Sequence, residues 1–317
     1  MYRKSHAGGR LSTISQSEAA GVLAFDVLKR ITSHPANRGK KLEAIIRFAK
    51  WQVASRLIVG DVVHDWVNGS RFLVRAGETG LTGNIYAGLH EFSDMGFLLH
   101  FLRPQDLFVD VGANSGSYSI LAGKAVGARG YAFEPVPASY TRLVENMRLN
   151  HLEHTVKCFN VAVGKSDGTV EFTAALDTEN HVIANGEPHE NTLSIQVTTL
   201  DRVLRDENPT LLKIDVEGYE TPVLEGATEC LRKSSILAVI MELNGLAGRY
   251  GFQESAILQT MLANGFETYT YDPFARQLIS LDGKLLNLGN TIFVRDKNKI
   301  LERLASAPCV VMSGRRF

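Results

Sequence analysis

The chain has 317 residues, room for one large α/β domain with an appendage or for two modest domains. It is 44% hydrophobic and 21% charged, with 34 basic and 34 acidic side chains, a balance that does not advertise nucleic acid or an anionic membrane as the main partner. The longest unbroken apolar run, Ile236 to Met241, falls far short of the ~20 residues a membrane span needs.

In chain order, residues 1–15 carry Arg3, Lys4 and Arg10, no acid and no apolar run, and read as a disordered basic tail. A helical pattern runs from Ser17 to Ile31, and His34 to Gly39 breaks it. Lys40 to Gly60 reads as a helix: Leu42, Ile45, Ile46, Ala49, Val53, Leu57 and Ile58 recur at helical spacing as a core-facing stripe. Lys41, Arg47, Lys50 and Arg56 form the opposite, solvated face. Val62–Val67 and Arg71–Val74 flank Asn68-Gly69-Ser70, a hairpin signal. Ala76 to Gly83 reads as loop and Ser93 to Leu102 as an apolar helix. Residues 16–103 thus form a helical and hairpin appendage, followed by a main domain over 104–300 and a C-terminal tail over 301–317.

Within 104–300, strands and helices alternate. Strands are expected at 107–111, 130–133, 155–163, 194–199, 211–214, 236–242, 266–271 and 291–295. Helices are expected at 137–150, 200–205, 219–231 and 254–264, and a polar insertion from Ala174 to Asn191 interrupts the pattern. The alternation argues for a doubly wound α/β fold around a mostly parallel sheet with helices on both faces.

The organising stretch is Leu107 to Ser119, LFVDVGANSGSYS: an apolar strand, an acid, a glycine turn and a helix opening. Ligands in such sheets bind outside the carboxyl ends of the strands. Asp110, Glu134, Asp215 and Glu242 each end a strand on that edge. Glu134 follows Asp110 at the spacing by which an acid meets a ribose diol in dinucleotide folds, so the ligand is expected to contain ribose. The turn Gly112-Ala113-Asn114-Ser115-Gly116 lacks the central glycine of GxGxxG, which disfavours NAD, and no GKS or GKT ending marks a phosphate loop. A nucleoside whose other end is not a phosphate suits what is left, and S-adenosyl-L-methionine is such a ligand.

Several blocks in fixed order resemble the FkbM-type methyltransferases: FVDVGANSGSYS at 108–119, AFEP at 132–135, NVAVG at 160–164, LKIDVEGYE at 212–220, VLEGA at 223–227 and MELNG at 241–245. The resemblance implies a class I methyltransferase (Rossmann-like) fold with an antiparallel last strand and S-adenosyl-L-methionine as cofactor. It also implies that Asp110, Gly112, Asn114 and Gly116 line the methionine half and that Glu134 takes the ribose hydroxyls. Asp215 is implied to sit near the methyl group.

Methyl transfer to an oxygen needs positioning and a proton acceptor. Asp215 and Glu217 are the best-placed acids, and His181, inside the polar insertion, is a candidate base. His90 and Glu91 of the lead-in are candidates to reach the same cleft. Asp215, Glu217 and Glu242 are oxygen ligands of the kind magnesium uses, but their spacing does not demand a metal and none is expected. The reading is an O-methyltransferase acting on a sugar, a glycan or another small polar metabolite. N-methylation of a peptide or amine, or a non-catalytic nucleoside-binding module, are the alternatives. The widely separated Cys158, Cys230 and Cys309 form no CxxC pair and favour a reducing cytoplasm.

Overall fold

A computed structural model describes residues 27–76, 78, 80–173, 180–184, 192–286, 289–312 and 315–317. The expected tail at 1–15, most of the expected helix from Ser17 to Ile31 and most of the polar insertion lie outside these residues.

The strands up to the glycine turn and just beyond it are β1 (Val62–Asp65), β2 (Arg71–Val74), β3 (Leu107–Val111), β4 (Arg129–Phe133) and β5 (Val156–Phe159). There follow β6 (Ala162–Val163), β7 (Gly168–Thr173), β8 (Thr192–Thr198), β9 (Leu211–Ile214) and β10 (Ala238–Glu242). Then come β11 (Glu267–Asp272), β12 (Gln277–Ser280) and β13 (Asn290–Val294). The helices begin with α1 (Lys41–Leu57), α2 (Thr82–Ala87), α3 (Phe92–Phe101), α4 (Ser117–Ile120) and α5 (Pro137–Leu149). They continue with α6 (Leu200–Val203), α7 (Glu220–Glu225), α8 (Thr228–Arg232), α9 (Glu254–Ala263) and α10 (Lys297–Ala305).

The main sheet runs β12-β11-β13-β10-β9-β3-β4-β5. The five strands from β10 to β5 are parallel, and β13 lies antiparallel between β10 and β11. This is the doubly wound class I arrangement the sequence leads one to expect. The chain winds outward through β4 and β5, then returns to the other side of β3 with β9 and β10. That reversal makes the β3/β9 boundary a topological switch point, where a crevice opens at the carboxyl ends. Strand alternation separates two cores: Phe108, Leu211 and Ile240 pack toward Leu98 and Phe101 of α3, while Val109, Leu212 and Val239 pack toward Val223, Leu231 and Met261.

The expected strand 155–163 divides into β5 of the main sheet and β6 of a separate three-stranded sheet with β7 and β8. The side chain of Asn160 bonds the carbonyls of Glu134 and Pro135 at 2.9 Å each, turning the chain out of the main sheet there. The expected helix 219–231 breaks into α7 and α8 at Gly226. A β-carbon on Gly226 would lie 2.0 Å from the carbonyl oxygen of Gly164, so the VLEGA and NVAVG blocks meet backbone to backbone.

α1 forms where expected, with Lys41, Lys50 and Arg56 exposed as expected, but its apolar stripe does not turn inward. Ala44 and Trp51 are buried, while Leu42 (71% exposed), Val53 (59%) and Leu57 (76%) of the apolar stripe face outward among the described residues. The orientation follows from polar and aromatic pairing. The guanidinium of Arg47, expected in solvent, donates to Asn37 Oδ1 at 2.7 Å and to the Tyr86 carbonyl at 2.8 Å, and Phe48 meets the Tyr86 ring edge-on. The hairpin is joined to the main domain by α5. Asn146 Oδ1 accepts from the Leu73 amide and Asn150 Oδ1 from the Arg71 amide, both at 2.8 Å. The stretch expected as a tail beyond 300 contains α10, and its last residue, Phe317, is buried against Phe92 and His100. Among the described residues no helix is long and apolar enough to cross a membrane.

Candidate active site

A cleft of about 370 Å³ opens at the carboxyl ends of β3, β4, β9 and β10. All four strand-end acids, Asp110, Glu134, Asp215 and Glu242, line it, together with Gly112, Asn114 and Glu217. His90 and Glu91 of the lead-in also reach it.

The glycine turn is shaped by backbone contacts. Gly112 has φ 82° and Asn114 φ 48°, the left-handed region that glycine and asparagine tolerate best. Gly112 donates to the Phe133 carbonyl at 3.0 Å. A β-carbon on Gly112 would lie 1.8 Å from the carbonyl oxygen of Asp215, so only glycine lets the turn and the end of β9 touch. Asn114 Oδ1 accepts from the Ser115 amide at 2.6 Å, which pins the turn internally. Gly116 does not line the cleft; it faces Leu143 of α5, a packing position.

Glu134 is held by two backbone donors. Oε2 accepts from the Asn114 amide at 2.9 Å and Oε1 from the Val136 amide at 2.8 Å. Burial pushes its pKa up to about 7, against the pull of those same two amides. Asp110 is buried beneath the turn, accepting from Ser119 Oγ at 2.6 Å, and burial raises its pKa to about 6. Asp110 therefore ties β3 to α4 as well as lining the cleft.

On the other side of the switch point stands a residue that the strand pattern concealed. Lys213 lies inside β9 with its side chain 2% exposed, and its Nζ sits 3.0 Å from Asp215 Oδ2. The same ammonium lies 5.2 Å from the ring centroid of Tyr118. Burial alone would favour the neutral amine, but Asp215, Glu91 and Glu242 outweigh it and hold Lys213 charged. The signal in the sequence is a lone lysine in the apolar run LLKI, two residues before Asp215 and hence on the same strand face.

Around that one cation stand Glu91, Asp94, Asp215 and Glu242. Burial, then Glu91, raises the Asp94 pKa to about 8, and burial with the neighbouring Asp215 raises that of Glu242. Glu91, Asp215 and Glu242 of this group stand together in the cleft wall, with Asp94 behind them. Asp94 and Glu91 are further joined through Asn290 Nδ2 of β13.

Glu217 follows Asp215 with φ 54°, a conformation non-glycine residues seldom hold without cause, and its Oε2 accepts from Asn244 Nδ2 at 3.1 Å. The bend brings Glu217 into the cleft beside Asp215. His181 is not brought there. Its neighbours Asn180 and Val182 line the cleft, whereas His181 is 4% exposed, with its backbone paired to Thr173 through both amide and carbonyl. Alternation along this strand-like segment, bridged at Phe172 and Val182, turns successive side chains opposite ways.

The cleft therefore has two chemically distinct ends. Phe133, Val136, Val161 and Val163 give an apolar end beside the fixed Glu134 carboxylate, and the acids around Lys213 give a charged end. The strand order, the switch-point cleft and this glycine turn define a class I methyltransferase fold. Residues 110–268 match the methyltransferase FkbM domain, and the chain belongs to that family.

Among characterised relatives, the chain is similar to the hexuronic acid methyltransferase AglP of Haloferax volcanii, 29% identical over 152 residues covering 46% of this chain and 59% of AglP. It is also similar to methyltransferase sdnD of Sordaria araneosa, 28% identical over 172 residues covering 44% of this chain and 66% of sdnD. The match thus spans about three fifths to two thirds of these relatives' length. A solved FkbM methyltransferase from Methylobacillus flagellatus aligns over 68% of this chain and 52% of its own, at 17% identity and a TM-score of 0.43.

Proposed function

We propose that this protein is an S-adenosyl-L-methionine-dependent methyltransferase that methylates a hydroxyl of a sugar, a glycan or another small polar metabolite, with residues 104–300 as its catalytic domain. The observation that carries the reading is Glu134. A carboxylate fixed by two amides at the end of the strand next to the glycine turn suits a ribose diol. The apolar walls beside it suit adenine, and the donor and acceptor groups of the turn suit an amino-acid tail. When bound, the cofactor supplies an electrophilic methyl group.

Asp215 and Glu217 then act at the acceptor. Asp215, held 3.0 Å from Lys213, takes the hydroxyl proton as the methyl group passes from the cofactor's sulfur to the acceptor oxygen. Glu217 orients the acceptor from the bent segment. Preference for a sugar draws support from the name of the AglP relative, whose acceptor is a hexuronic acid.

Calorimetry tests the cofactor assignment: Glu134→Ala should weaken S-adenosyl-L-methionine binding, and unchanged binding would sink it. Asp215→Asn should keep cofactor affinity and lose turnover; full activity would remove Asp215 from the mechanism.

A further inference from the structure

A second cavity, of about 670 Å³, lies beside the cleft between α1 and the segment from Ala76 to His90. His90 lines both spaces. Its position is closely set. A β-carbon on Gly83 would lie 2.5 Å from His90 Nδ1, and the His90 carbonyl accepts from His34 Nε2 at 2.8 Å. The next residue, Glu91, belongs to the acid group around Lys213. The cavity therefore adjoins the cleft at His90, one residue from an acid of the charged end.

The chemistry of the walls is selective. Trp51 and Tyr86 present aromatic surface, and Gln52 links them to the mouth by donating to Tyr86 Oη at 3.3 Å while accepting from Arg56. Arg30 and Arg56 supply positive charge, while His34 is neutral in its contacts, donating to the His90 carbonyl and accepting from the Ala36 amide. The acid in the wall, Glu78, is already engaged by Arg142 at 3.0 Å. Aromatic faces suit the apolar side of a sugar ring, and guanidinium groups suit a carboxylate or phosphate.

We propose that this cavity is the acceptor chamber and that it takes an anionic sugar. The ring lies against Trp51 and Tyr86, the anionic group lies between Arg30 and Arg56, and the reacting hydroxyl passes His90 into the cleft. Its role as acceptor chamber rests on the methyltransferase reading above; the binding of an anionic sugar does not.

The full chain is titrated by calorimetry with D-glucuronate, glucose 6-phosphate and D-glucose, and separately with S-adenosyl-L-methionine. Saturable binding of an acidic sugar is expected, with glucose at least about tenfold weaker. Tighter binding of glucuronate assigns the anion as a carboxylate, and tighter binding of glucose 6-phosphate assigns it as a phosphate. Arg56→Gln, at an exposed position, should weaken the acidic sugar about tenfold and leave S-adenosyl-L-methionine affinity unchanged. Ser55→Phe, which fills the cavity from α1, should do the same. Acidic sugars that bind no better than glucose, or that bind both variants as they bind the parent, would overturn the proposal. Acidic sugars bound without S-adenosyl-L-methionine binding would overturn the cofactor reading and leave the sugar site standing.

Discussion

The α-carbon of Gly112 faces the carbonyl oxygen of Asp215 so closely that a β-carbon would lie 1.8 Å from it. This contact joins the two sides of the switch point. It makes the first glycine of the turn a structural requirement of β9 as much as of any ligand. Gly112→Ala combines a clash against backbone with a φ of 82°, so a loss of about 3 kcal/mol or more is expected. Urea unfolding at neutral pH measures it. Asp215→Asn keeps the carbonyl in question and a side-chain oxygen for Lys213, and should cost less stability, although it should abolish turnover. Equal losses in the two variants would mean that the backbone contact is not what holds the cleft together.

Among the described residues, Lys213 is the one cation amid Glu91, Asp94, Asp215 and Glu242. Lys213→Met removes it without much change of volume and leaves buried carboxylates facing one another. A loss of about 3–5 kcal/mol is expected at pH 8. With the lysine gone, Asp94 and Glu242, whose folded-state pKa values burial already raises, lose the charge that holds them down and rise further. Their stability contribution is then present at low pH and lost as pH rises. The deficit relative to the parent should accordingly shrink as the pH falls toward 5. A deficit independent of pH would show that Lys213 acts by packing and not by charge.

Glu134 gives opposite pH trends for binding and for folding. Its folded pKa, about 7, lies above the ordinary 4.5. Its contribution to stability is therefore complete below about pH 4.5 and is lost as pH rises through 7. Acceptance of two ribose hydroxyls needs the ionised form, so S-adenosyl-L-methionine affinity should rise about tenfold from pH 6 to pH 8. Calorimetric titrations across that range, with Glu134→Gln as the flat control, would expose a wrong assignment if parent and variant titrated alike.

The glycine-turn side of the cleft was legible because its information is local. Asp110, Gly112, Asn114 and Glu134 lie at the ends of consecutive parallel strands, where alternation and turn chemistry locate them. Asp215, Glu217 and Glu242 were legible for the same reason. Lys213 was not, because within an apolar strand a lysine looks like a local defect. Beyond Asp215, its reason for being there is Glu91 and Asp94 at the start of α3 and Glu242 of β10, which lie on other elements. α1 misled for a related reason: an apolar stripe normally turns inward, but here Arg47, Phe48 and Trp51 found specific partners on the appendage and the stripe was left outside. His181 lay one residue from the truth. Asn180 and Val182 face the cleft, and period-two alternation cannot be phased from a polar loop alone.

The order of strands also sets an order of events in time. β3 pairs on one side with β4, which follows after about twenty residues, and on the other with β9, about a hundred residues later. During synthesis the segment bearing Gly112, Asn114 and Glu134 can pair as soon as β4 emerges, whereas Asp215 and Lys213 must wait for the excursion through β6–β8. Loop closure over that distance slows the second pairing. The Glu134 end of the cleft should therefore mature first and the Lys213 end last. Pulse-labelled hydrogen exchange during refolding should protect amides of β4 before those of β10; simultaneous protection would mean that the sheet assembles in one step. If the order holds, a chain arrested after β5 would expose the apolar edge of β3 that β9 covers in the finished fold, so the nascent protein is most aggregation-prone midway through the methyltransferase domain.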